Sequence, residues 1–540
     1  MKLVEQTIDG LRAALDAREI SSVDLVRAYI ARIEAFDRGG PGLNSVREIN
    51  PDALSIARRR DRQRFRPGFE PGPLFGIPVL LKDNIATADQ QATTAGSPAL
   101  ADAIAVRDAF IARKLRRAGA ILLGKANLTE FANWTTIGMP SGYSALGGQV
   151  LNPYAPTVDA NGIPIVMPGG SSSGSAVAAA ANFATVTVGT ETAGSLLNPA
   201  CNNALVTVKP TVGLVSRAGI LPIAASQDTA GPLARTVRDA AILLGVLAGP
   251  DRRDPATRAS RGQIPASYTD FLDADGLRGA RIGVPSDPAD PANDAYWTQL
   301  EPDQRQIMAA VVERLRALGA VIVEANIPTA GRIRGPGALI PGAVIQVPVT
   351  NRFSPHHGKP FAVPSVLVYE FKHGLAAYLA EYAPDHPVRG LADVIAFNNV
   401  APEPPRFGQD LLLSAEATRG DLSEPAYHQA RAIDLKLSRD EGLDAYFDRW
   451  QLDAVLFPAA LGNGIAARAG YPSVGVPAAY RTEADGKPTP PYPYGISFTG
   501  RAWSEPLLLK LAYAWEQANP VRRPPESAPE RPDRSRFDRP

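Results

Sequence analysis

A single cysteine, Cys201, in 540 residues leaves no means of building an intramolecular disulfide framework or a thiolate-based zinc site. Cys201 follows Asn198-Pro199-Ala200 in an apolar stretch, the setting of a packed core thiol. Net charge is equally scarce. With 56 basic and 55 acidic residues the chain carries +1, so no whole-molecule field draws in nucleic acid or an anionic membrane, and neither is expected as a partner. Long apolar runs are missing too, none approaching the roughly 18 residues that span a bilayer. The N-terminal MKLVEQTIDGLRAALDARE places Glu5 and Asp9 where a secretion signal needs an unbroken apolar core, so a cytoplasmic location is expected.

What remains is ordinary for a folded domain: 45% of the residues are hydrophobic, ample for a large core. Helical and strand patterns alternate through the first half. AFIARKLRRAGAILLGKAN reads as an amphipathic helix, a stop at Gly119 and a buried strand from Ile121 to Leu123, and ATVTVGTE and ALVTVKPT read as short β-branched strands. This is α/β architecture with at least one central sheet. No repeat of 20 to 50 residues suggests a solenoid or propeller. The Pro- and Gly-rich stretch from RIGVPSDPADPANDAYW to SPHHGKP reads as surface loops around the sheet. The end of the chain, VRRPPESAPERPDRSRFDRP, has almost no apolar side chains and is expected to be disordered or to lie as a strap on the surface.

Chemistry is concentrated in two Gly/Ser turns. The first, MPGGSSSGSAVAAAANF, sets four serines before an alanine-rich helix and contains Gly170-Ser171-Ser172-Ser173-Gly174, a G-x-S-x-G that would make Ser172 the nucleophile of a hydrolase elbow. Such an elbow needs a histidine base. The five available, His356, His357, His373, His386 and His428, sit in loop-like or helix-surface contexts, and none follows a strand end with an acid before it. A phosphate cradle fails as well, because Gly174-Ser175-Ala176 stands where Gly-Lys-Ser/Thr is required. The second turn, VGTETAGSLLNPA, is built of small residues whose successive N–H groups can converge on an oxyanion. Connectivity alone does not bring the two turns together, and Lys82, Lys125 and Lys209 all stand at strand ends as possible bases.

Taken together, GIPVLLKDN (residues 76–84), GGSSSGS (169–175), GTETAGS (189–195), VKPTVGLVSR and SQDTAGPLART, in this order, resemble the amidase signature family of Ser–Ser–Lys hydrolases. The resemblance runs from about Leu11 to about Ala518. It implies one large α/β domain over residues 1–519, a central mixed sheet covered by helices on both faces, with 520–540 as a Pro/Arg-rich tail. It also implies an amide hydrolase working through a serine acyl-enzyme, without metal or cofactor. Motif by motif, the nucleophile falls on Ser195, the bridging serine, preceded by a cis peptide, on Ser171, 24 residues earlier, and the base on Lys82. The oxyanion donors fall on the backbone N–H groups of Thr192, Ala193, Gly194 and Ser195. Ser172 is then a coincidence of register.

Two departures bear on the substrate. Ala193 stands where many members have glycine, which puts the path of the loop in question. No arginine follows the nucleophile; Leu196, Leu197 and Asn198 stand there, which disfavours a substrate carboxylate at that point. GPGLNSVREINPDAL, LVYEFKHGL, LADVIAFN and FGQDLL resemble the branch of the family that removes C-terminal amides from peptides, and the competing class is an aryl amide or carbamate. Phe131, Trp134, Tyr369 and Phe397 are the candidates to line an apolar pocket for either, each against the alternative of core packing. A transamidosome-type component working on charged transfer RNA is a third possibility, weakened by the neutral charge. The expected partner is a small-molecule or peptide amide, the expected assembly a monomer or homodimer.

Overall fold

In the computed structural model, which describes residues 2–334, 340, 342–484 and 486–530, short β-branched segments align at the centre of one large sheet. Its strands are β1 (Val46–Ile49), β2 (Pro78–Lys82), β3 (Ile121–Ala126), β4 (Val186–Glu191), β5 (Val206–Lys209), β6 (Thr229–Ala234), β7 (Arg281–Val284), β8 (Val321–Glu324), β9 (Ala454–Pro458), β10 (Ser473–Ala484) and β11 (Lys487–Thr499). They lie in the order β1-β3-β2-β4-β6-β5-β10-β11-β9-β7-β8, an 11-stranded sheet. It is mixed: β2 runs parallel to β3 and β4, whereas β4–β6, β6–β5 and β5–β10 are antiparallel. Every residue of β2, β3, β4, β5 and β6 is buried. Side chains alternate between the faces of a strand, so full burial means that both faces are covered.

The cover is helical. Phe110–Arg117 is the amphipathic helix read from the sequence, and it stops at Gly119, whose φ of +88° and contact with Phe75 leave no place for a side chain. Ser173–Ala180 is buried along its whole length. Its small residues let it lie close to the sheet: a Cβ at Gly174 would collide with the carbonyl oxygens of Asn127 and Ser45. Cys201 ends the short helix Leu197–Cys201 and is 1% exposed; burial raises its thiol to about 12, so it packs and does not react.

The Pro- and Gly-rich stretch departs from the loops expected of it. Arg281–Val284 and Val321–Glu324 pair in parallel at one edge of the sheet, Pro302–Ala317 is a 16-residue helix, and Val344–Pro348 pairs with Pro360–Pro364. Pro302 opens that helix at a position where no backbone N–H is needed, and Met308, Val311, Val312 and Leu315 recur at helical spacing on its buried side. Residues 335–339 and 341 of the stretch lie outside the described residues.

Residues 520–530 run over the body of the protein. Arg522 pairs with Glu5 at 2.8 Å and donates to the carbonyl oxygens of Ala180 and Ala204, and Glu530 accepts from the N–H groups of Leu3 and Val4. Residues 531–540 lie outside the described residues. Among the described residues, no helix is long and apolar enough to cross a membrane.

Candidate active site

Parallel pairing of β2 and β4 aligns Val79 with Val186 and Leu81 with Val188, so both strands deliver their C-terminal residues to the same edge of the sheet. Lys82 ends β2, and Thr190 and Glu191 end β4. The Lys82 ammonium is fully buried, with Nζ 2.8 Å from Ser171 Oγ, 2.9 Å from Thr190 Oγ1 and 3.4 Å from the Thr190 carbonyl oxygen. Asn84 Nδ2 donates to the same Thr190 hydroxyl at 3.1 Å. Burial drives the lysine down to about 7, against the opposing pull of Asp228 and Glu191. Near neutral pH it is therefore poised between the ammonium and the free amine.

The two serine turns, separate in sequence, are joined in space. The peptide bond between Gly170 and Ser171 is cis. Ser171 is buried, and its carbonyl accepts from Thr129 N at 3.1 Å. Gly170 N donates to Asn198 Oδ1 at 3.0 Å, and Ser172 N donates to the carbonyl of Ser195 at 3.2 Å. The helix after the first turn packs on β4, and this stitches the end of the second turn to the start of that helix. Ser172 is committed to structure: its buried Oγ donates to the Thr190 carbonyl at 2.9 Å and accepts from Thr190 N at 3.2 Å. No strand precedes the turn, since residues 165–168 form none, so the strand–turn–helix context of an elbow is absent.

Glu191 organises the second turn. Its carboxylate accepts the N–H groups of Gly194 at 2.7 Å, Leu196 at 2.8 Å and Leu197 at 3.0 Å. The resemblance counts the Gly194 N–H among the oxyanion donors, but here it is held by Glu191. Among the described residues, the N–H groups of Thr192, Ala193 and Ser195 have no protein acceptor. Gly194 adopts φ +90° and passes close to Asn463, whereas Ala193 is exposed and keeps a negative φ, so its methyl group does not divert the loop.

The other strand-end lysines serve different ends. Lys125 donates to the Ile85 carbonyl and, at 3.1 Å, to Thr93 Oγ1; Lys209 donates to the carbonyls of Tyr471 and Ala466. Burial lowers both to about 8, but neither reaches a serine hydroxyl. Four of the five histidines are engaged elsewhere: His386 with Asp102 at 3.0 Å, His373 with the Gly420 carbonyl, and His356 and His428 against Phe361 and Tyr427.

A small pocket opens beside Lys82's partners, bordered by Asn84, Ala132, Thr190, Thr192, Asp228 and Thr229. None of the four aromatic candidates lines it. Phe131 is fully buried with its ring edge-on to Phe371 at 5.8 Å, and Trp134, 6% exposed, packs on the same ring at 6.5 Å. Both therefore belong to the core, where their large apolar area is removed from water. Tyr369 is half-buried against Tyr427 at 5.9 Å, and Phe397 is 39% exposed on the helix Leu391–Val400.

Residues 24–334 match the family model described as Amidase. A probable amidase of Arabidopsis thaliana is 38% identical over 529 residues, covering 97% of this chain and 91% of that protein. The chain belongs to the amidase family. Among solved structures, the native peptide amidase of Stenotrophomonas maltophilia matches with a TM-score of 0.81 and 42% identity, covering 97% of this chain and 99% of that one. An amidase family protein of Bacillus anthracis matches with a TM-score of 0.82 and 34% identity, covering 97% of this chain and 93% of its own.

The protein is thus an amidase-family hydrolase with a large mixed sheet flanked by helices, as the motif resemblance implied. Reasoning from sequence passed over Thr190, Asn84, Glu191 and Asp228 as members of the site. Each lay inside a quoted motif. What marks them in the structure is burial of a polar side chain together with a partner in the Lys82–Ser171 network or the loop of Ser195.

Proposed function

We propose that this amidase hydrolyses carboxamides through an acyl-enzyme on Ser195 and that C-terminal amides of peptides are its preferred substrates. The observation that carries the catalytic reading is the 2.8 Å contact between a buried, pKa-depressed Lys82 and Ser171, next to the turn that ends at Ser195. Neutral Lys82 takes the proton of Ser171 as Ser171 takes that of Ser195, and the Ser195 oxygen adds to the amide carbonyl. The N–H groups of Thr192, Ala193 and Ser195 receive the oxyanion. As the C–N bond breaks, the relayed proton goes back through Ser171 to the departing amine or ammonia. Water then attacks the acyl-enzyme by the same relay.

Full-length similarity to a peptide amidase supports the substrate class, as does the absence of an arginine directly after Ser195. A C-terminal amide requires an open acyl side and room for only ammonia on the other. The test compares ammonia release from an N-protected dipeptide amide ending in an apolar residue with cleavage of its internal bond and with hydrolysis of an aryl carbamate. Fastest turnover of the amide is expected. Faster carbamate turnover would move the preference to aryl amides and carbamates and leave the catalytic residues in place.

A further inference from the structure

The oxyanion loop is gripped at one end by Glu191, which holds Gly194, Leu196 and Leu197, yet Thr192 and Ala193 lie before those anchors. Their restraint comes from the neighbouring strand. The β4–β6 ladder pairs Glu191 with Thr229 in antiparallel register, so the next opposed positions are Thr192 and Asp228. There the Thr192 hydroxyl donates to one oxygen of the Asp228 carboxylate. The other oxygen accepts the N–H groups of Ile223 and Ala224, both at 3.0 Å, which ties the carboxylate to a separate loop. Arg217 pairs its guanidinium with Asp254 at 2.5 Å and donates to the Asp228 backbone carbonyl at 3.3 Å. Asp228 is 7% exposed, and the three hydrogen bonds of its side chain all run to the carboxylate as acceptor.

Donors in an oxyanion hole act only if they are aimed before the charge develops, and a displacement on the order of 1 Å can cost about a hundredfold in rate. We propose that Asp228 is a positioning residue, which fixes the Thr192 and Ala193 N–H groups for the oxyanion by holding the Thr192 hydroxyl. The inference rests on the Ser195 reading given above. It assigns Asp228 no contact with substrate and no proton in the relay.

The test measures steady-state kinetics on an N-protected dipeptide amide for Thr192→Val, Thr192→Ser, Asp228→Asn and the Thr192→Val/Asp228→Asn double variant, with Ser195→Ala as control and circular dichroism to confirm folding. Thr192→Val should lower kcat about 10- to 100-fold with KM within about threefold, because the donors serve the transition state more than the bound ground state. Thr192→Ser, which keeps the hydroxyl, should recover most of that loss. The double variant should be no slower than the slower single variant, since both act through one hydrogen bond. An unchanged kcat in Thr192→Val, no recovery by serine, or losses that multiply in the double variant would each overturn the inference while leaving Ser195→Ala inactive. An active Ser195→Ala would instead remove the reading on which it rests. If Asp228→Asn does not fold, the valine and serine variants decide it alone.

Discussion

Lys82 is chosen from three buried lysines by its acceptor: a serine hydroxyl for Lys82, backbone carbonyls for Lys125 and Lys209. A relay that begins with the free amine should show an acid limb in kcat/KM with a midpoint of about 7, because protonation below that pH removes the base. Activity therefore rises with pH through neutrality. Lys82→Ala should lower kcat by at least about a thousandfold, since the base acts on the nucleophile and again on the leaving group. A pH–rate profile of the parent enzyme and single-turnover kinetics of the variant check both statements. An acid limb that tracked a histidine, removed by replacing His386 or His373, would contradict them. Little of this was legible from residue types alone: three lysines at strand ends look alike in sequence, and only the motif resemblance separated them.

At the scale of elements, the turn after β4 shows where glycine is needed and where it is not. Gly194 has φ +90° with Asn463 3.0 Å from the place of a Cβ, so Gly194→Ala should distort the loop and lower kcat by about 10- to 100-fold. Ala193→Gly should change kcat by less than about threefold, because Ala193 is exposed and already adopts a negative φ. Kinetics of the pair on one amide substrate compare neighbouring positions directly. The sequence made the short buried strands and the helix before Gly119 readable, since their β-branched runs and apolar spacing carry the period of the element. It concealed the pairing of the Pro- and Gly-rich segment. Proline marks the ends of elements as well as loops, and Pro302 at the start of a 16-residue helix shows how the same residue type reads both ways. Two of the four aromatic candidates, Phe131 and Trp134, turn their rings into the core against Phe371, a direction that sequence position does not reveal.

Across the whole molecule, the two ends of the described chain are fastened together. Arg522 joins Glu5 to the carbonyl of Ala180, at the far end of the helix that begins beside Ser171, and to that of Ala204, beyond the short helix that follows Ser195. Arg522→Ala should therefore lower stability by about 2–3 kcal/mol, through the charged hydrogen bonds lost and the acceptors left unpaired, with kcat unchanged within about twofold. Thermal unfolding and steady-state rates on the same preparation separate the two effects. The site is a junction of distant segments, Lys82 from β2, Ser171 from one turn and Ser195 from another. Sequence motifs proposed its members, whereas the parallel pairing of β2 with β4, the Lys82–Ser171 contact and the Ser172–Ser195 backbone bond bring these segments together in space. The most direct measurement is peptide mapping by mass spectrometry after reaction with a serine-directed fluorophosphonate. A single adduct on Ser195, strongly diminished in Lys82→Ala, is the predicted result; an adduct on Ser172 with Ser195 unmodified would contradict the account.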